Sequence, residues 1–167
     1  MPNKKAPPTA GRPIMPADYG IQPPDKASGL LSWAEAGRKI AAAHNYWVST
    51  TRPDGRPHAM PVWGVWVRET LLFSTGRASR KGRNLAQQPY VVVHLESGDD
   101  VVILEGIVQE ALDPQLLAEF VDAYDAKYKV RPDTTDPNKV TYALRPQVAL
   151  AWLESDFVGG ATRWQFA

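Results

Sequence analysis

Two periodicities divide the chain. The first patterned run opens at Ser32-Trp33-Ala34-Glu35, a capping box in which the serine and glutamate satisfy each other's backbone donors, and it predicts a helix through Ile40 to about Ala43. From Tyr46 to Thr51 aromatic and β-branched residues take over, which reads as a strand. Pro53-Asp54-Gly55 is a hairpin turn into a second extended segment from Pro57 to Val67. There Gly64 marks a bulge, and Pro61, lacking an N–H, needs an edge or bulge position. Thr70 to Thr75 is again strand-like, and Tyr90–Leu95 and Val101–Val108 form a hairpin through Ser97-Gly98-Asp99. Asp113-Pro114 is an N-cap followed by proline at the first helical position. Behind it Leu116, Leu117, Phe120, Val121, Tyr124 and Tyr128 recur at helical spacing, giving one apolar stripe. A loop through Pro132 and Pro137 leads to strands near Gln147–Glu154 and Thr162–Phe166. This order predicts an antiparallel barrel or sheet with helices packed outside, and not a doubly wound α/β fold.

Composition sharpens the boundaries. Residues 1–29 hold seven of the fifteen prolines and few large apolar residues, so they are read as an extended or disordered arm ahead of a single domain over 30–167. Nineteen basic against eighteen acidic residues leave a net charge of +1, so no global field favours nucleic acid or an anionic membrane. The absence of cysteine excludes disulfides, thiol nucleophiles and thiolate metal sites, and fits a reducing cytoplasm. No apolar run reaches eighteen residues, and neither a signal peptide nor a membrane span is expected.

The charge is local. Ser79 is a good N-cap for a short helix that begins at Arg80 and ends before Pro89. Arg80 and Lys81 then sit in the first helical turn, where the helix dipole disfavours a cation by roughly 0.3–1 kcal/mol each. An anion held at this helix start by free N–H groups together with Arg77, Arg80 and Lys81 explains the arrangement; a solvated basic helix is the plainer alternative. Gly82 would let a ligand approach the backbone. Between residues 76 and 85 there are four cations and no acid, which suits a small phosphorylated ligand, and the spacing is not that of a Walker A loop. The three histidines, His44, His58 and His94, lie in separate segments without metal-ligand spacing and are read as structural, and no metal site is expected. Glu96, Asp99 and Asp100 belong to a solvated turn, and no nucleophile elbow is present, so the catalytic residues are unknown. Six tryptophans offer either core packing or, through Trp63, Trp66 and Trp164, a wall for a planar ligand. An anion site, an aromatic slot and no evident nucleophile or metal point to a cofactor that carries the chemistry itself, as flavins do.

Phe73-Ser74-Thr75-Gly76, followed by Ser79-Arg80-Lys81-Gly82-Arg83-Asn84-Leu85 and Pro89, resembles the phosphate-binding strand, loop and helix of the pyridoxamine 5′-phosphate oxidase-like split-barrel superfamily. The likeness covers roughly residues 33–166 and includes the hairpin Val48-Ser49-Thr50-Thr51 through Asp54-Gly55-Arg56-Pro57-His58. It implies an all-β, antiparallel split barrel of the FMN-binding type with peripheral helices (α+β), as a homodimer with cofactor sites at the interface. Ser74, Thr75, Ser79 and Asn84 would join Arg77, Arg80 and Lys81 around the cofactor, with Met60, Pro61, Val62 and Trp63 along its ring. Where the oxidases carry an arginine and a lysine on the return strand, this chain offers Met60 and Val65, and Thr162-Arg163-Trp164-Gln165-Phe166 replaces their C-terminal substrate motif. Pro57-His58, Pro61-Val62-Trp63, Arg83-Asn84-Leu85 and Thr162-Arg163-Trp164 resemble instead the branch that uses the deazaflavin coenzyme F420. That resemblance implies hydride transfer between reduced F420 and a small electron-poor substrate, with Arg163 or Trp164 near the substrate face. The alternatives are an FMN-dependent oxidase or reductase and a non-catalytic flavin or haem carrier.

Overall fold

The computed structural model describes residues 6–23 and 28–167. The chain enters through β1 (Thr9–Gly11), which pairs antiparallel with the last strand near the C-terminus, Thr9 opposite Gln165 and Gly11 opposite Arg163. Arg12 follows, buried, with its guanidinium donating to the carbonyls of Gly159 (2.6 Å), Ala161 (3.1 Å) and Ser28 (2.6 Å). This stretch of the proline-rich arm is therefore packed on the sheet rather than disordered. Backbone pairing and one buried arginine do what its sparse apolar content could not, while residues 1–5 and 24–27 lie outside the described residues.

The capping box forms as the sequence predicts: Ser32 Oγ accepts from the Glu35 N–H, the Glu35 carboxylate accepts from the Ser32 N–H, and α1 (Trp33–Ala42) follows. Next come β2 (Tyr46–Thr51) and β3 (Pro57–Val62), paired through the Asp54-Gly55 turn, where Gly55 takes φ 83°. The expected single segment to Val67 breaks at Trp63-Gly64, and β4 (Val65–Val67) turns away to pair with β5 (Thr70–Gly76). A Cβ at Gly64 would lie 2.9 Å from the Leu72 carbonyl, so only glycine permits this close crossing. Then follow α2 (Arg80–Gln87), β6 (Tyr90–His94), β7 (Asp100–Glu110) and α3 (Pro114–Tyr128), capped by Asp113. The strand foreseen near Gln147 begins much earlier, as the fifteen-residue β8 (Lys139–Leu153). Pro146 is tolerated inside it because the β7–β8 register shifts between Glu105 and Gly106. A short helix α4 (Phe157–Gly160) and β9 (Thr162–Gln165) complete the fold.

The sheet runs β1-β9-β8-β7-β6-β2-β3, with β5 on the first half of β8 and β4 on β5. It is antiparallel throughout and open, with β3 at an edge, where Pro61 withholds no ladder hydrogen bond. Register fixes the two faces. One row across the sheet reads Met60, Val48, Val93, Leu104, Ala149, Trp164, and its inner members are core residues. The adjacent row, Pro61, Trp47, His94, Ile103, Leu150, Arg163, lies on the opposite face. Trp33 of α1 plugs one end of the core against Trp164 (5.4 Å between centroids), Phe166 (4.9 Å) and Trp66 (6.1 Å). A second cluster joins α3 to β4 and β5 through Phe120, Tyr128, Val65 and Leu72. No helix among the described residues is long and apolar enough to cross a membrane.

Candidate functional site

The site begins where β5 ends. Ser79 Oγ accepts from the Gly82 N–H at 2.9 Å and lies 3.0 Å from the Thr75 hydroxyl, while Ser74 is engaged with Thr141 at 2.7 Å. Capping fixes α2 so that its second residue, Lys81, turns inward: only 9% of Lys81 is exposed, and it has no hydrogen bond or ion pair among the described residues. Its amine lies 6.0 Å from the centroid of the Phe73 ring, and burial pushes its pKa down. An uncompensated buried ammonium is costly, and an arriving anion removes that cost.

Other groups on this spot are similarly incomplete. Asn84 is fully buried; its Nδ2 donates to Thr50 Oγ1 at 2.9 Å, and its Oδ1 has no partner. Arg52 Nε is likewise buried and unpartnered. His58, 3.4 Å from the Thr50 hydroxyl, is held below the usual imidazole range by burial and then by the positive charges of Arg52, Lys81 and Arg80. Exposed Arg80 has no hydrogen bond or ion pair among the described residues. The β2–β3 hairpin and the start of α2 thus converge three cations on one place.

Gly82 has a different role from the one expected. It is buried, and a Cβ there would sit 2.4 Å from the Gly76 carbonyl and 2.8 Å from that of Arg77, so it lets α2 pack on its own preceding turn. Helix propensity alone would have Gly82→Ala stabilise by about 1 kcal/mol. The clash with rigid backbone reverses the sign: denaturant unfolding is expected to show a loss of about 1–3 kcal/mol. A stabilised variant would show that α2 is not seated as described.

The remaining sequence candidates divide. Met60 (49% exposed) shares the Val48 side of β3 with His58, whereas Pro61 projects from the other side, beside Trp47. Val62 is a core residue, not a ring contact, because alternation turns it inward opposite Tyr46. Trp63 stands at the β3–β4 break, 42% exposed and stacked on Tyr128. Arg77 is drawn away from the cluster: its guanidinium pairs with Glu110 and donates to the Pro137 carbonyl at 3.2 Å. Trp164 is 1% exposed and belongs to the core plug, so it has no face to offer a ligand. Arg163 is half-buried on the far side of the sheet from Trp164, at the opposite end of its row from Pro61. It projects from the outer face, opposite the side of the sheet that carries His58 and Met60 on β3, so one protomer does not aim Arg163 at those residues.

Arg52, Thr50 and His58 are the members that sequence reading missed. The available signal was register: the Asp54-Gly55 turn pairs Thr50 with His58, inward-facing, and leaves Arg52 beside them. No group of three or more His, Asp or Glu side chains is placed to hold a metal ion among the described residues. The cluster can bind an anion; it lacks a carboxylate base, since Asp54 is tied to Arg56.

An open antiparallel split-barrel sheet with a capped, lysine-bearing helix start beside its edge hairpin defines the class of protein. Residues 34–153 match the pyridoxamine 5′-phosphate oxidase family profile, and the chain belongs to that family. A search of curated proteins finds no match. Among solved structures, a conserved hypothetical protein of Mycobacterium tuberculosis aligns at 21% identity with a TM-score of 0.66, over 77% of this chain and 89% of that one. A protein described as an F420 reductase aligns at 24% identity and TM-score 0.52, over 66% and 91%. A haem-binding protein of Mycobacterium smegmatis aligns at 20% and 0.59, over 78% and 61%.

Proposed function

We propose that the protein is an oxidoreductase that binds the phosphorylated tail of the deazaflavin coenzyme F420 at the start of α2 and transfers hydride between it and a small electron-poor organic substrate. The observation that carries this reading is Lys81, a buried cation without an anion, flanked by Arg80, Arg52 and the orphaned Asn84 Oδ1. The cations fit a phosphate. Lys81 and Arg80 would hold it and His58 and Met60 the side of the ring, while Asn84 and Thr50, buried behind them, brace the hairpin against α2. When bound, the deazaflavin supplies a hydride-donating carbon. The protein's own part is then to orient the ring, exclude water and balance the phosphate charge, which needs no strong acid or base.

Because burial lowers the Lys81 pKa, its charge is lost at a lower pH than that of a free lysine. Affinity for the phosphorylated cofactor is therefore expected to fall on the alkaline side, beginning below pH 10.5. Calorimetric titration across pH checks this, and a flat profile through that range would remove Lys81 from the anion site. The proposal includes a homodimer. Tyr90 (58% exposed) and Val92 (38%) border a groove of about 360 Å³ on the outer sheet face, and a second copy covering that face could also bring its own Arg163 to the cofactor edge. Light scattering is expected to report a dimer; a monomer would leave Arg163 outside the site.

A further inference from the structure

We propose that the Trp63–Tyr128 stack is a preorganised platform for a flat, uncharged or anionic conjugated ring, and that Lys127 sets its position and charge preference. An exposed tryptophan ordinarily has rotational freedom; this one is fixed. Its indole lies parallel to Tyr128 (2°, 4.6 Å between centroids), with His44 edge-on at 5.9 Å and Tyr124 at 6.3 Å. The next residue is gripped by the end of α3: the Gly64 N–H donates to Tyr128 Oη at 3.0 Å, the Gly64 carbonyl accepts from Lys127 Nζ (3.0 Å), and the Tyr128 hydroxyl lies within donating distance of the His44 (2.7 Å) and Gly64 (2.8 Å) carbonyls. Ordering already completed in the free protein is not lost again on binding, which is what a stacking site requires.

Lys127 places a positive charge beside the stack. Its amine lies over the rings of Tyr46 (4.8 Å) and Tyr128 (5.2 Å), half-buried and without a carboxylate partner among the described residues. It donates to Tyr46 Oη (2.9 Å) and to the Gly64 carbonyl (3.0 Å), while the single Tyr128 hydroxyl proton has both the His44 (2.7 Å) and Gly64 (2.8 Å) carbonyls within reach. Burial brings its pKa down to about 8, so the unfolded chain holds this proton more tightly. Stability consequently rises with pH between about 8 and 10.5, and at neutral pH the charge works against folding. The other titratable groups facing it, Tyr46, Tyr124, Tyr128 and His44, supply no negative charge at that pH. A cation retained behind Tyr128 makes the stack less hospitable to a cationic ring and favours neutral or anionic ones. Trp63 lies five residues, about 16 Å of strand, from His58, beyond the phosphate end. Naming the ring as the substrate's rests on the hydride-transfer reading; the platform itself does not.

Calorimetry with naphthoate, naphthylmethylammonium and the saturated decahydronaphthoate separates the two. Naphthoate is expected to bind at least about tenfold more tightly than either other probe. Trp63→Ala should abolish that binding and Trp63→Phe keep part of it. Lys127→Met should erase the preference for the anion over the cation. Lys81→Ala should lose phosphorylated cofactor yet bind naphthoate normally. Unchanged naphthoate binding in Trp63→Ala, an intact charge preference in Lys127→Met, or loss of naphthoate in Lys81→Ala would each overturn the platform, the last by placing the ring at the phosphate site. Retention of cofactor by Lys81→Ala would instead count against the cofactor reading alone.

Discussion

Replacing Arg80 and Lys81 together with alanine is expected to weaken binding of the phosphorylated deazaflavin by about 3–6 kcal/mol, from about 1.5–3 kcal/mol per charge-assisted contact. Lys81 should supply the larger share, because its buried charge is screened little by water, whereas Arg80 is exposed. The fold should not suffer. Lys81 has no hydrogen bond or ion pair in the described structure, and removing an uncompensated buried cation relieves a desolvation cost, so the double variant is expected to melt at or above the parent temperature. Calorimetric titration paired with thermal unfolding reads both halves. Parent-like affinity would dismiss the anion assignment, and a large drop in melting temperature would make these residues structural.

The second large effect concerns the arm. Arg12→Ala leaves the carbonyls of Gly159, Ala161 and Ser28 without their buried donor, and a loss of about 2–4 kcal/mol is expected. Deleting residues 1–28 removes β1 as well, uncovering the edge of β9. Scanning calorimetry should show the truncated chain melting below Arg12→Ala, and both below the parent. Were the truncated chain to melt with the parent, the strand pairing and the arginine clamp would contribute nothing to stability.

Local signals in the sequence carried much of this fold because they act over a few residues. Ser32 and Glu35, Ser79, and Asp113 with Pro114 each specify a helix start through their own backbone contacts, and all three starts occur where predicted. Asp54-Gly55 specified the β2–β3 hairpin in the same way. What escaped depended on partners distant in sequence. The first half of β8 looked like loop because its strand partners, β5 and β7, are not readable from residues 139–146. The arm read as extended or disordered because one buried arginine and three paired residues leave little compositional trace. Within the candidate site, the basic helix start was legible as a dipole conflict, and the structure buries Lys81 and Asn84 on that helix. The sequence could not show that Glu110 would claim Arg77, or that Trp33 would seal Trp164 into the core. Arg52 and His58 become site residues only once register brings the hairpin against α2.

The deazaflavin proposed at the start of α2 has two rivals for the same place, FMN and haem. Parallel calorimetric titrations of the parent protein with F420, FMN and haem distinguish them. F420 is expected to bind at least about tenfold more tightly than FMN, since Met60 and Val65 offer no extra cations to the shorter cofactor, and haem is expected to bind more weakly than either. FMN bound tenfold more tightly than F420, or haem bound in preference to both, would remove the deazaflavin from this site.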